Sequence, residues 1–153
     1  MRYHMLTARI IQNAAQAARS LGHSCVGTEH LLLALVQNPG PPGHLLRTAG
    51  LAPGLTRTMT VAIRGKGTAD LPLVQGFEYE VKSVLRQAAR EARGQKMREI
   101  CPEHLLLAMT RQEGAALPPQ TVDKVKLSAV FCFYLKKPKR PKGKWRCDVE
   151  YKQ

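Results

Sequence analysis

Aromatic residues are scarce in this sequence: one Trp, four Tyr and three Phe make up 5% of its 153 residues. β-Sandwich cores draw on aromatic and β-branched side chains, so this scarcity, beside abundant Ala and Leu, favours helices. No stretch approaches the roughly 18 to 20 uninterrupted apolar residues that a membrane-spanning helix needs, and no membrane association is expected. Residues 1–6 lack a charged segment followed by a long apolar one, so no secretory signal is read there. The four cysteines, Cys25, Cys101, Cys132 and Cys147, have no close C-x-x-C spacing, which argues against a zinc knuckle or a disulfide framework and leaves reduced thiols as the default. A G-x-x-x-x-G-K-[ST] phosphate loop is missing, since Gly65-Lys66-Gly67-Thr68 lacks both its spacing and its strand-to-helix context, and ATP hydrolysis by this chain is excluded.

What is present is the composition of one globular domain, 44% apolar and 23% charged, with enough apolar residues for a sizeable core. The net charge of +13 is unevenly spread. Residues 1–116 carry 14 basic and 8 acidic side chains, and residues 117–153 carry 10 and 3. Nearly half of the excess therefore falls in the last quarter of the chain.

The main organising feature is a repeat. Displaced by 74 residues, Thr28-Glu29-His30-Leu31-Leu32-Leu33-Ala34-Leu35 falls on Pro102-Glu103-His104-Leu105-Leu106-Leu107-Ala108-Met109. Upstream, Ile10-Ile11, Ala14-Ala15 and Ala18-Arg19 meet Val84-Leu85, Ala88-Ala89 and Ala92-Arg93 without a gap. Two related helical units in tandem are expected. In the first unit, residues 3–64, an apolar stripe of Ile10, Ile11, Ala14, Ala18 and Leu21 predicts a helix over residues 8–21, ended by Gly22. Thr28 reads as the N-cap of a second helix over residues 29–37, broken by Asn38-Pro39-Gly40-Pro41-Pro42. Short helices over residues 44–49 and 55–63 complete the unit. Residues 65–76 read as a polar linker. The second unit, residues 77–116, restarts with helices over 79–95 and 103–111, the latter opened by Pro102, and is then truncated at Leu117-Pro118-Pro119.

The combination of an Ala-rich helix, Leu21-Gly22-His23, the segment from Val26-Gly27-Thr28-Glu29-His30 through Leu35, and Ala49-Gly50-Leu51 resembles the N-terminal domain of Clp unfoldases over roughly residues 3–116. The resemblance implies an all-α, pseudo-twofold domain of short helices, usually tethered in front of an ATP-driven ring. It implies a domain that catalyses nothing, uses no cofactor and receives substrate polypeptides and adaptors for a Clp-type AAA+ unfoldase, in a cytoplasmic and bacterial setting. In some members the glutamates matching Glu29 and Glu103 hold the guanidinium of a phosphorylated arginine, while an aromatic-Thr-x-Arg motif at the start of each unit holds the phosphate. Here those segments are Tyr3-His4-Met5-Leu6 and Phe77-Glu78-Tyr79-Glu80, so the aromatics Tyr3 and Phe77 remain and the phosphate ligands do not. Docking of a peptide or adaptor around Glu29, Glu103, Tyr3, Phe77, His30 and His104 is the expectation carried forward.

Blander roles fit the same residues. Glu29 and Glu103 suit the partly positive first turn of a helix, where a carboxylate contributes about 0.3 to 1 kcal/mol. His30 and His104 suit structural positions, because Cys101-Pro102-Glu103-His104 has no metal-binding counterpart at Gly27, and no metal site is expected. Glu29-His30 also reverses the H-E-x-x-H order of metalloproteases. Leu31 to Leu33, Leu35 and Leu105 to Leu107 read as core, with one turn available to an apolar partner in a groove between the units. The alternative reading lies in residues 117–153, a basic tail expected to be irregular and divergent from the repeat. In it Lys136, Lys137, Lys139, Arg140, Lys142, Lys144, Trp145 and Arg146 offer phosphate contacts and a stacking surface to nucleic acid. A third reading makes the chain the N-terminal fragment of a larger Clp ATPase. Oligomeric state is left open.

Overall fold

The computed structural model describes residues 1–67 and 74–112. The expected truncation after residue 116, the basic tail and part of the linker lie outside these residues. In chain order the elements are β1 (Arg2–Tyr3), α1 (Met5–Ser20), α2 (Thr28–Gln37), α3 (Pro41–Thr48), α4 (Pro53–Arg64), α5 (Tyr79–Gly94), β2 (Glu99–Ile100) and α6 (Pro102–Arg111). The fold is the all-α arrangement that composition predicts, with one addition the sequence did not suggest, a two-residue parallel strand pair.

The 74-residue repeat is reproduced in three dimensions. α1 buries Thr7, Ile10, Ala14 and Ala18, and α5 buries Val81, Val84, Ala88 and Ala92, the same four positions of the helix. Alanines at two of the four positions bring each helix backbone close to the helix it covers, α1 on α2 and α5 on α6. α2 and α6 are the central helices, and Leu31 to Leu33, Leu35 and Leu105 to Leu107 are at most 2% exposed. No leucine of these runs is left facing a groove between the units, contrary to one expectation above. The apolar character all round both helices is therefore accounted for by burial.

The two units are locked by a reciprocal exchange. Tyr3 pairs with Ile100 in the β1–β2 ladder, and Phe77 forms a parallel bridge with Val26. Tyr3 and Phe77 are repeat equivalents, as are Val26 and Ile100, so each unit begins by pairing with the segment that precedes the central helix of the other. The next residues repeat the pattern: His4 N–H donates to Ile100 O at 3.1 Å and Glu78 N–H donates to Val26 O at 3.0 Å. This pairing aims the chain into α1 from Met5, and His4 Nδ1 accepts from Leu6 N–H, which is why α1 starts three residues before the boundary expected at residue 8.

The central helices are capped from within. Gly27, not Thr28, is the N-cap of α2, and His30 in the first turn turns its Nδ1 back to accept the Gly27 N–H at 2.9 Å. His104 does the same for the Cys101 N–H at 2.9 Å. The acceptor role of Nδ1 leaves the proton on His30 Nε2, which donates to His23 Nδ1 at 2.7 Å, and His23 Nε2 in turn donates to Gly65 O at 2.9 Å. Every atom of this buried relay is satisfied only when both rings are neutral. Burial first, and His23 second, push the His30 pKa down to about 4 against the opposing pull of Glu78. Burial likewise lowers that of His104.

At its other end α2 is closed by α3. Pro41 and Pro42 open α3 rather than only ending α2, because proline is well suited to a helix's first turn. Arg47 Nη1 donates to the orphaned carbonyls of Val36 at 2.6 Å and Asn38 at 2.9 Å. Gly43 permits the approach, since a Cβ there would stand 1.9 Å from Asn38 O. α4 also starts at a proline, Pro53, two residues before the predicted boundary.

His30 binds a proton less readily in the folded than in the unfolded chain, so its contribution to stability is present above about pH 6.5 and is lost as pH falls toward 4. His30→Ala is expected to lower stability by about 2 to 4 kcal/mol at pH 7.5, through a lost cap and a core cavity. In urea unfolding the gap between wild type and variant should narrow at pH 4.5; a gap that is the same at both pH values contradicts the neutral relay.

Candidate functional site

Glu29 and Glu103 occupy the second position of α2 and α6, beside the crossing where one unit's start meets the other's central helix. The strand exchange gives each a different set of neighbours. Glu29 shares the Arg64 guanidinium with Glu78 of the second unit, and Glu103 feels the field of His4 of the first. Each glutamate thus has a polar neighbour from the other repeat, while Tyr3 and Phe77 pair through their backbones with Ile100 and Val26.

The two sites are not alike. At the first, Arg64, the last residue of α4, pairs through Nε with Glu29 Oε1 and through Nη2 with Glu78 Oε2. Its hydrogen bond is the main cause holding the Glu78 carboxyl below its ordinary range. Thr28 Oγ1 adds a donor to Glu29 Oε2 at 3.3 Å, and Glu29 is only 8% exposed. Gly27 makes the seat: a Cβ there would fall 2.4 Å from Arg64 Nη2 and 2.7 Å from Glu29 Oε2. The repulsion that Glu78 would exert on an anion is therefore already answered by a cation supplied by the chain itself.

At the second site Cys101, with a side chain, stands where Gly27 does, and no Lys or Arg among the described residues pairs with Glu103. Its carboxylate has its own backbone N–H and the field of His4 in its favour, but burial dominates and raises its pKa. Tyr3, 42% exposed, lies on β1, paired with Ile100 just ahead of α6. This is a half-buried carboxylate without a cationic partner among the described residues.

His30 and His104, 0% and 2% exposed, lie beneath these sites as caps and present no ring atom to a partner. Phe77 is half-buried against the core. A small cleft between α2 and α4 runs from Glu29 past Leu32, Leu51, Met59 and Ile63, with Ile63 70% exposed at its rim. Sequence reasoning missed Arg64 and His23. Arg64 reads as an ordinary last-turn cation, and nothing local connects it to a carboxylate 35 residues earlier. Among the described residues no group of three or more His, Cys, Asp or Glu could hold a metal ion, and no helix is long and apolar enough to cross a membrane. The basic run from Lys136 to Arg146 lies outside the described residues.

Residues 5–118 match the family model of the Clp repeat (R) N-terminal domain. The chaperone protein ClpC3 of rice chloroplasts (Oryza sativa subsp. japonica) is 34% identical over 110 residues, 71% of this chain and 12% of that protein. A ClpA homolog of Guillardia theta, an ATP-dependent Clp protease ATP-binding subunit, is also 34% identical over 110 residues and is covered to 13%. The chain thus spans about an eighth of the length of these relatives. Among solved structures, the N-terminal domain of ClpD from Arabidopsis thaliana superposes with a TM-score of 0.73 at 24% identity, covering 88% of this chain and 95% of that one. The Hsp104 N-terminal domain from Candida albicans gives 0.71 at 17% identity, covering 91% and 95%. At these identities the likeness is one of fold.

Neutralising the two glutamates should move stability in opposite directions. Glu103 is disfavoured as an anion in the folded chain, so Glu103→Gln should raise Tm at pH 7.5, and the gain should vanish near pH 4, where the wild-type group is protonated folded and unfolded alike. Glu29→Gln should lower stability by about 1 to 2 kcal/mol by leaving Arg64 with one carboxylate. Thermal unfolding of the two variants decides this, and a shared direction of change contradicts the asymmetry.

Proposed function

The chain belongs to the Clp repeat (R) N-terminal domain family, and on that footing we propose that it is a non-catalytic docking module that receives substrate polypeptides or adaptor proteins for a Clp-type AAA+ unfoldase. The observation that carries this reading is the asymmetry of the two carboxylates. Glu29 is closed by Arg64, whereas Glu103 is half-buried, has its pKa raised by burial and is unpaired by any described Lys or Arg. A cationic side chain on an incoming peptide answers that arrangement: a guanidinium gains a charge-assisted, bidentate contact with a carboxylate that partial burial disfavours as an unpaired anion.

The module binds and does not transform. The relatives are a chaperone and an ATP-binding subunit of a Clp protease, of which this chain covers about an eighth. The docking chemistry is the same whether the module acts alone or as the first part of a longer ATPase. A phosphorylated arginine would find its guanidinium partner at Glu103, but on the phosphate side only His4 stands where the family has Thr, and Leu6 where it has Arg. An unmodified cationic residue in an extended peptide suits the site better.

Fluorescence anisotropy with a labelled, unfolded Arg-containing peptide tests the reading on the full chain, with free phosphoarginine as competitor. Loss of a charge-assisted bond of about 1.5 to 3 kcal/mol corresponds to roughly 10- to 100-fold weaker binding for Glu103→Gln, with little change for Glu29→Gln. Arg64→Gln should uncover Glu29 and Glu78 and raise the stoichiometry from one peptide to two. Peptide affinity indifferent to Glu103→Gln sinks the proposal.

A further inference from the structure

α5 carries a stripe of cations that the fold does not require. Lys82, Arg86, Arg90 and Arg93 recur at intervals of four, four and three residues, and all four are exposed, so they lie along one face over about 17 Å of helix. Among the described residues the ion pairs involve Arg64 and Arg111 and none of these four. Arg86 lies over the ring of Tyr79, 5.6 Å from its centroid, and Arg90 Nη1 reaches Gln87 Oε1 at 3.5 Å; both guanidinium groups keep most of their donors for something else. Like charges four residues apart repel along a helix, so the stripe weakens α5 unless an anion joins it.

The repeat supplies an internal control. In α1 the equivalent residues are Ala8, Gln12, Gln16 and Arg19. Both helices bury the same four positions on their central helix, and both place a cation, Arg19 or Arg93, in the last turn where the helix dipole favours it. Lys82, Arg86 and Arg90 have no such reason to be there. What packing leaves unexplained is a three-cation row with the exposed Tyr79 at its N-terminal end.

We propose that the outer face of α5 is a docking surface for an acidic polypeptide segment, one that presents carboxylates about one helical turn apart to Lys82, Arg86 and Arg90. Guanidinium forks match carboxylates in a bidentate geometry, and the spacing of the row matches Asp or Glu at every fourth residue of a partner helix. A nucleic acid fits less well. α5 lies flat on α6 with Val81, Val84, Ala88 and Ala92 buried, so it offers one face and does not protrude as a groove-reading helix must. Tyr79 is also the one exposed aromatic on α5, whereas tracking a single strand takes a succession of stacking platforms. In taking a polypeptide as the partner, the proposal rests on the protein-docking reading above. It places a second contact away from Glu103, suited to a partner with an acidic segment.

The test uses the full chain and labelled helical peptides with Glu at every fourth position, beside a scrambled peptide of identical composition. Anisotropy at about 150 mM salt, where exposed charges are well screened, should give binding at least about 10-fold tighter for the in-register peptide. Lys82→Glu with Arg86→Glu and Arg90→Glu should weaken it at least about 10-fold, while Arg9→Glu with Arg57→Glu and Lys66→Glu, the same change in net charge, should alter it less than about 3-fold. The corresponding Gln triple variant, which adds no new charge, should show the same loss and serves if charge reversal unfolds α5. Equal effects of the two triple variants, or no preference for the in-register peptide, overturn the proposal. So does tighter binding of a DNA strand that is lost with the α5 row. The Arg-containing peptide should bind the α5 variant as it binds wild type, so failure here and failure at Glu103 are read separately.

Discussion

Two short parallel backbone pairings hold the molecule to its shape. Tyr3 with Ile100 and Phe77 with Val26 are each minimal as β-structure, yet they decide where every other element goes. Each pairing fastens the start of one repeat to the segment just before the central helix of the other, so neither unit is completed by its own chain alone. The exchange sets the entry of α1 and α5, brings the apolar stripes of those helices onto α2 and α6, and seats the core against α2 and α6. It also brings a polar N-cap residue of one unit, His4 or Glu78, near the first-turn glutamate of the other.

Once repeats interlock in this way, two equivalent positions become free to diverge without disturbing the fold. The first site has turned inward. Gly27 leaves room for the Arg64 guanidinium, which ties α4, α2 and the N-cap of α5 into one electrostatic knot. The second has its carboxylate, Cys101 in place of the glycine, and no cationic partner among the described residues. Both retain the histidine cap, because that side chain closes the helix start whichever way the glutamate is used. Burial of a charged group without a partner is unfavourable, which is why the half-buried Glu103 has its pKa raised while Glu29 sits beside Arg64.

Much of the fold was legible in the sequence. The 74-residue displacement, the apolar stripes and the Pro and Gly punctuation place all six helices, with errors of a few residues at starts where proline or strand pairing opens the helix. The two-residue strands were not legible, since Arg2-Tyr3 and Glu99-Ile100 have no periodicity to read and gain their pairing only across 97 residues of chain. The site was half legible: Glu29 and Glu103 stand out as repeat partners, and the leucine runs read correctly as core. His30 and His104, picked as contact residues, prove to be buried caps, because a histidine in a first turn looks the same in sequence whether its ring faces solvent or its own backbone.

By itself the sequence determined what local chemistry can determine. It made the chain helical through Ala and Leu content, doubled it through repetition, and put a carboxylate at the start of each central helix. Only the tertiary structure decided which carboxylate is open. That choice depends on a guanidinium at the far end of α4 arriving beside Glu29, and on the absence of its counterpart among the described residues near Glu103. Ion pairs between residues distant in sequence leave no trace in composition or spacing, since their strength follows from a separation and a degree of burial that exist only after the chain has folded.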